Sequence, residues 1–255
     1  MKVSEYKKKK DLELEWYKQD KTKPRLISRI LRHPLLFNPE RNSFNYIFPK
    51  KQMARIIKDH NPRRTERMLI APCGTGDDFK YVKAFARDVH GIDLSPIAVN
   101  MCPKSMKANA GDILKSGYPP ESFDIVVSPL FFHHLLRFGF HPFLKEFHRI
   151  MKKGGQLVIL EPSIFYPINI ITRPMKKVLK NPYGEVEDES PFRPKLLTDA
   201  LKKAGFKEIE VRAASFSHCS FFVPVAIFFN FVTKPLLKMW PFNKLGWMVV
   251  YWARK

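Results

Sequence analysis

Two glycines that could form a ligand-binding loop, Gly74 and Gly76, follow an apolar run in the sequence. Glycine has no Cβ, so its backbone can adopt left-handed angles and a ligand can lie directly against it. The acids Asp77 and Asp78 come next and are expected to cap a helix that runs to about Ala86. The stretch predicts a strand, a tight binding loop and a helix, although an ordinary tight turn can also require such glycines.

A carboxylate stands 19 positions after Gly74, at Asp93. Residues 88–94 have the pattern of a second strand, and Asp93 lies at its tip. In a Rossmann-type unit, an acid at this place binds the two hydroxyls of a ribose. Asp93 could also cap the helix that Ser95 and Pro96 open, and the two roles are compatible.

Two more segments continue this pattern. Residues 109–113 are a third predicted strand with the acid Asp112 near its end, and residues 122–128 are a fourth that ends at Ser128. With these motifs in this order, the chain resembles the class I S-adenosylmethionine (SAM)-dependent methyltransferases, especially small-molecule members with a D-A-P-C-G-T-G loop. The resemblance covers about residues 67–211 and recurs in the final strand.

The resemblance implies SAM as the cofactor and S-adenosylhomocysteine as its product. It assigns cofactor roles to the residues that match the family's motifs. The loop is matched by Ala71, Pro72, Cys73, Gly74 and Gly76, the ribose site by Asp93 and Leu94, the adenine site by Asp112 and Ile113, and the segment lining the methyl-transfer site by residues 128–134, beginning at Ser128. Residues 152–162 are similar to the family's fifth strand and its approach.

One position departs from the family's pattern. Ile70 stands where the family usually has an acid at the end of the first strand. The contact to the aminoacyl end of the cofactor must therefore be replaced or absent, whereas the adenosine half of the site is complete.

Methyl transfer requires the acceptor's lone pair in line with the S–CH₃ bond, and much of the rate can come from that alignment. A hydroxyl or phenol acceptor also benefits from a base that removes its proton. His133 and His134 follow the fourth strand and can titrate near neutral pH, and Glu161 ends the fifth strand, where ligands bind in such sheets. These three are the candidate catalytic residues. The two histidines can equally be a helix start and a wall of the cleft.

Strands and helices alternate along the rest of the chain, which indicates a parallel sheet with helices on both faces. Further predicted elements are a helix over 140–151 ended by Gly154 and Gly155, a strand over 156–161, a helix over 194–204, a strand over 207–213 and a last strand over 247–252. We expect an α/β fold, a Rossmann-like seven-stranded methyltransferase sheet with its last strand antiparallel.

Residues 1–66 are expected to be a basic helical extension or cap, and residues 67–255 the SAM-binding domain. Short helices are predicted near 11–19 and 50–58. Residues 25–37 mix Leu and Ile with Arg, a pattern that suits a membrane-surface helix or a helix packed over an active site.

Two insertions, at about 162–192 and 215–244, interrupt the regular alternation. The second contains an apolar run over 221–232, which is shorter than the roughly 20 residues that span a bilayer. Lysines and a tryptophan flank this run, a mixture that settles at the depth of lipid headgroups. The alternative is a hydrophobic cap over the cofactor cleft.

The net charge is +21, and its excess lies in the flanks of the chain. Residues 1–68 hold 19 Lys and Arg against 8 Asp and Glu, whereas residues 69–172 hold 11 against 9. Basic flanks suit an anionic surface or polymer, or only solubility. The three cysteines are far apart, which indicates neither a metal site nor a disulfide framework, so we expect a cytoplasmic protein, peripheral on the inner face of the membrane.

The sequence also narrows the acceptor. The segment from Ser128 to Phe131 lacks the amide or acid and the second proline that adenine-amino methyltransferases carry, and Cys102 precedes a proline where cytosine-C5 chemistry needs a cysteine after it. We expect a small or lipid-like acceptor methylated on O or N: a lipid-linked glycan, a polar lipid or a prenylquinone precursor. The alternatives are an RNA or protein methyltransferase that uses the basic flanks, and a non-catalytic SAM-binding protein. Nucleic acid is the less expected partner, and the oligomeric state is not predicted.

Overall fold

The computed structural model of the 255-residue chain describes residues 3–18, 39–61, 63–169, 190–218 and 221–255. The basic amphipathic segment over 25–37 and the lysine-rich part of the first insertion lie outside these residues. Among the helices so described, none is both long enough and apolar enough to cross a bilayer.

Seven strands form one sheet in the order β3-β2-β1-β4-β5-β7-β6. Their bounds are β1 Thr65–Ile70, β2 Ala86–Asp93, β3 Lys107–Ala110, β4 Phe123–Pro129, β5 Met151–Pro162, β6 Lys207–Ser215 and β7 Met248–Arg254. The helices are α1 Val3–Lys18, α2 Pro39–His60, α3 Phe79–Val82, α4 Pro96–Asn100, α5 His141–Ile150, α6 Pro194–Lys203 and α7 Val223–Val232.

The first five strands pair in parallel, and β7 lies antiparallel between β5 and β6. This confirms the predicted Rossmann-like methyltransferase sheet with its last strand reversed. Because parallel strands share a direction, the carboxyl ends of β1, β2, β4 and β5 meet at one edge, where open α/β sheets bind ligands. We call this the carboxyl edge of the sheet.

Buried side chains alternate between the two faces of the sheet, as the strand period of two requires. Leu69 and Val126 join one core cluster, whereas Met68, Ile70 and Ile125 join the other. Helices α5 and α6 cover the first face, and α2 covers the second through fully buried side chains. The helix before the first strand is thus part of the core of the sheet.

The predicted helix over 77–86 is wrong in its bounds. Only Phe79–Val82 is α-helical, a 3₁₀ turn covers Lys83–Phe85, and β2 begins at Ala86. The reason is tertiary: Ala86 pairs with Thr65 of β1, so its backbone joins the parallel ladder.

The predicted end of the helix over 140–151 also differs. Helix α5 ends at Ile150, and Met151 already has extended angles. Gly154 and Gly155 lie inside the long strand β5, where its register with β4 shifts between Phe123 and Ile125. These glycines therefore belong to a strand irregularity and not to a helix end.

A charged cluster joins α2 to β6. The Arg212 guanidinium donates to Glu210 on its own strand and to Asp59 near the end of α2. His60 contacts Glu210 at 2.7 Å and stacks on the Trp252 ring, with 3.5 Å between ring centroids. Burial opposes ionisation of both acids, yet the hydrogen bonds from Arg212 and its neighbours lower the pKa of Asp59 and of Glu210.

We expect Arg212→Met to lower the free energy of unfolding by about 2 kcal/mol near neutral pH, because it removes the cation that two half-buried carboxylates share and leaves them only Lys238 and His60, while solvent still screens them. Lowered carboxyl pKa values stabilise the fold above the unfolded-state pKa, and this contribution is lost as pH falls through the folded-state values. Urea unfolding should therefore show the wild-type advantage shrinking in acid. The matched control, Lys195→Met, removes an exposed pair with Asp199 and should change nothing measurable; an equal loss in both variants would contradict the role given to this cluster.

Candidate active site

The glycine loop is fixed to the two strands beside β1. The Ala71 amide donates to the Val127 carbonyl of β4 at 2.9 Å, and the Cys73 amide donates to the Ile92 carbonyl of β2 at 2.9 Å. The loop therefore lies at the carboxyl edge, across the ends of three strands. This is the position predicted for the cofactor loop.

Both glycines of this loop have left-handed φ angles, 50° at Gly74 and 80° at Gly76. An added Cβ at Gly76 would also lie 2.5 Å from the Pro103 Cδ atom. Angle and packing both require glycine there. The Cys73 thiol points beneath the loop, 4.0 Å from the Cys102 sulfur, so Cys73 presents its backbone, and not its side chain, to a ligand.

Asp93 lies at the tip of β2, as predicted. Its carboxylate accepts a hydrogen bond from the Gly74 amide at 2.8 Å and another from the Ser95 amide at 2.9 Å. The N-cap of α4 is Ser95, whose hydroxyl accepts from the Ala98 amide. Asp93 thus joins the glycine loop to the start of α4, and Leu94 follows it in the same connection.

Asp112 contacts residues that the sequence did not indicate. Its carboxylate accepts from the Tyr6 hydroxyl at 3.0 Å, from the Lys10 ammonium at 2.9 Å and from the Leu114 amide at 3.0 Å. Tyr6 is buried, and burial together with the Asp112 charge raises its pKa, so the hydroxyl keeps its proton and remains a donor. Helix α1 is therefore held against the predicted adenine site, and the separation of 106 positions between Tyr6 and Asp112 leaves no local signal of this contact.

Ser128 supplies a test of whether a ligand fits. Its hydroxyl is fully buried at the end of β4 and has no hydrogen-bond partner among the described residues. It lies one residue beyond Val127, which pairs with Ile70 at the end of β1. Buried hydroxyls are rarely left unpaired, and a polar cofactor at this edge would satisfy this one.

The acids after the glycine loop do not cap α3. Asp78 makes no capping hydrogen bond from its side chain and instead lies 3.3 Å from the Lys50 ammonium of α2. Burial raises the pKa of Asp78, and the Lys50 charge opposes that shift. Ile70 is apolar and fully buried, so it cannot supply the acid that the family usually has at the end of the first strand, and we expect the pair of Asp78 and Lys50 to replace it. No sequence pattern linked Lys50 to the loop.

Glu161 and His133 form a hydrogen-bonded pair. The Glu161 carboxylate is fully buried and accepts from the amides of Phe131 at 2.7 Å, Phe132 at 2.6 Å and His133 at 3.3 Å. It also lies 2.7 Å from the His133 Nδ1 atom. Because a carboxylate only accepts, Nδ1 is assigned as the donor, and the lone pair of the neutral ring lies on Nε2.

The neighbouring candidate, His134, is not part of this pair. Its ring lies beside that of His133 with 4.2 Å between centroids. The described residues contain no cluster of His, Cys, Asp and Glu that could hold a metal ion. The arrangement can therefore accept a proton at His133, with Glu161 holding the ring in place.

We expect Gly76→Ala to lower SAM affinity at least tenfold, because the added methyl must displace Pro103 and the loop together. Isothermal titration calorimetry would measure this. Gly117→Ala is the matched control, since Gly117 has a similar φ of 70° but no atom within 4 Å of the added Cβ. It should lose stability and keep SAM affinity; equal affinities for the two variants would refute the assignment of the loop.

Comparison with known proteins agrees with this geometry. A family model described as "Methyltransferase domain" matches residues 69–159. The demethylmenaquinone methyltransferase of Geobacillus kaustophilus is 26% identical over 191 residues, which cover 63% of this chain and 79% of the relative.

Solved structures show the same fold. A SAM-dependent methyltransferase from Thermotoga maritima, described as a possible histamine N-methyltransferase, has a TM-score of 0.63 at 20% identity and covers 90% of this chain and 98% of its own. The phosphoethanolamine N-methyltransferase 2 of Haemonchus contortus, in complex with SAM, has a TM-score of 0.53 at 15% identity, with coverage of 91% and 60%.

Proposed function

We propose that the chain, a class I SAM-dependent methyltransferase, methylates an O or N atom of a small or lipid-like acceptor. The candidates are a lipid-linked glycan, a polar lipid and a prenylquinone precursor. The name of the Geobacillus relative, a demethylmenaquinone methyltransferase, favours the prenylquinone class. We further propose that the enzyme is cytoplasmic and works at the membrane surface, where such acceptors reside.

The observation that carries this proposal is the pair of His133 and Glu161. SAM, when bound, supplies an electrophilic methyl group. The residues that would hold it are the glycine loop, Asp93, Asp112 with Ile113, and Ser128, together with the pair formed by Lys50 and Asp78. His133 would stand beside the acceptor. Its Nε2 atom would take the proton of the acceptor's O or N atom as that atom bonds to the transferred methyl carbon.

Glu161 has a positioning role in this proposal. Its carboxylate is committed to three backbone amides and to His133 Nδ1, so it is poorly placed to take a proton from an acceptor itself. It instead selects the ring tautomer and stabilises the imidazolium that forms, as a carboxylate does behind a catalytic histidine. The Glu161 contact is made by His133, and the neighbouring ring of His134 is proposed as a wall of the cleft.

We expect His133→Gln to lower the methylation rate about 100-fold or more, the usual effect of losing a general base, with SAM affinity unchanged. The measurement is transfer of labelled methyl from SAM to a total membrane lipid extract, followed by mass spectrometry. His134→Gln is the matched control and should stay within about tenfold of wild type, since it removes a ring without a proton-transfer role.

Other outcomes would separate the remaining hypotheses. Equal rates in the two variants would remove the base from the mechanism. If labelled methyl appeared in RNA or protein instead of the lipid extract, the acceptor would be a polymer and not a small or lipid-like molecule. An absence of SAM binding in the calorimeter would overturn the proposal as a whole.

A further inference from the structure

Helix α7 has the reverse of the usual amphipathic pattern. Apart from Val223 at its first position, its buried or partly buried stripe consists of small and polar residues, Ala226, Asn230 and the C-cap Thr233. Large apolar side chains point outward instead, with Phe228 65% and Phe231 74% exposed. A surface helix in water normally buries its apolar side, so the outward side of α7 is built for contact with something apolar.

Specific polar contacts hold the helix in this orientation. The Asn230 amide donates to the Ser217 hydroxyl at 2.6 Å and accepts from the Ser215 hydroxyl at 2.9 Å. At the start of the segment, the Asn45 amide of α2 donates to the Phe221 carbonyl at 2.9 Å. Rotating α7 about its axis to bury its large apolar side chains would break these hydrogen bonds and leave their polar groups unsatisfied.

The apolar surface continues beyond the helix. Met239 and Phe242 are exposed, and Trp240 is 77% exposed. We call the exposed side chains of this region the apolar face; its members are Phe222, Val225, Ile227, Phe228, Phe229, Phe231, Val232, Met239, Trp240 and Phe242. Exposed apolar side chains concentrated in one segment of the chain mark an interaction surface.

The apolar face lies at the same edge of the sheet as the site. Met248, at the start of β7, pairs with both Ser215 of β6 and Pro162 of β5, so the connection over 216–247 sits at the carboxyl end of β5. The Ser163 hydroxyl, two residues after Glu161, donates to the Lys244 carbonyl at 2.8 Å. A molecule held against the face is therefore on the same side of the protein as His133.

The positive charge around the apolar face indicates what kind of partner binds there. The sequence has no Asp or Glu after Glu210, whereas Lys234, Lys238 and Lys244 lie in or beside the apolar face. Lys238 contacts Asp59 at 3.1 Å but stays 59% exposed. Lysines and a tryptophan around an apolar patch suit lipid phosphates above acyl chains, whereas a second copy would bring the same positive charge against itself.

We infer that the apolar face docks on the surface of an anionic bilayer, with Phe228, Phe231 and Trp240 inserted at headgroup depth and the lysines on lipid phosphates. The inference rests on the proposed function for the nature of the acceptor, which would pass from the bilayer into the site without crossing water. Docking itself needs no methylation, so the two can be tested apart.

The test is co-sedimentation of the full chain with vesicles of phosphatidylcholine, with and without phosphatidylglycerol. We expect binding to the anionic vesicles that weakens as salt rises. The double variant Phe228→Ser/Phe231→Ser should bind at least tenfold more weakly, since each exposed ring contributes buried apolar area in the bilayer. The matched control, Ile97→Ser/Leu196→Ser, alters two exposed apolar residues outside the face and should bind as wild type.

A second readout locates the contact. In a Trp16→Phe background, brominated lipids should quench the fluorescence of the protein, and adding Trp240→Phe should remove most of that quenching, because the two remaining tryptophans, Trp247 and Trp252, are buried. Equal binding by the two double variants, or dimerisation abolished by Phe228→Ser/Phe231→Ser without vesicle binding, would overturn the inference. So would strong protection of residues 221–242 from hydrogen exchange without lipid, which would mean that the chain itself covers the face.

Failure of docking and failure of the proposed function give different results. Methylation of the lipid extract without vesicle binding would support the proposed acceptor class and refute docking by the apolar face. Vesicle binding without methylation of any lipid would support docking by the apolar face and refute the proposed acceptor class.

Discussion

The site depends on one buried carboxylate. Glu161, at the end of β5, receives the amides of three consecutive residues that follow β4, together with the ring of His133. Those amides lie at a point where the chain leaves the sheet and has no ladder to join, and unsatisfied buried amides are costly. The same carboxylate therefore determines the path of the backbone and the tautomer of the candidate base.

The parallel sheet explains why the other groups gather around this point. The glycine loop, Asp93 and Ser128 come from three different strands, and each stands where its strand ends. Parallel pairing places these ends at one edge, and the hydrogen bonds from Ala71 and Cys73 hold the loop between its neighbours. The positions of the site residues follow from the register of the sheet more than from local loop structure.

The reversed strand β7 explains why the connection that carries α7 lies at the carboxyl edge of the sheet. Because β7 returns toward the amino ends, the connection before it must lie at the carboxyl edge. That connection carries α7, whose outward apolar side contradicts the pattern expected of a water-facing helix. Departures from local rules tend to occur where a surface has a function, and here the departure lies beside the site.

The sequence by itself determined the α/β class, the order of the strands, the glycine loop and Asp93 at the tip of β2, because apolar runs, glycine spacing and strand ends are local patterns. The third strand, predicted over 109–113, ends at Ala110 instead, so Asp112 lies beyond it at the start of a 3₁₀ turn. Helix ends near Ala86 and Gly154 were missed, since neighbouring strands recruited those residues into the sheet.

Only the tertiary structure decided the partners of each acid: Asp112 with Tyr6, Asp78 with Lys50, and Glu161 with His133. The members of these pairs lie 28 or more positions apart. Their contacts depend on how helices and strands pack, and no periodicity along the chain records that packing.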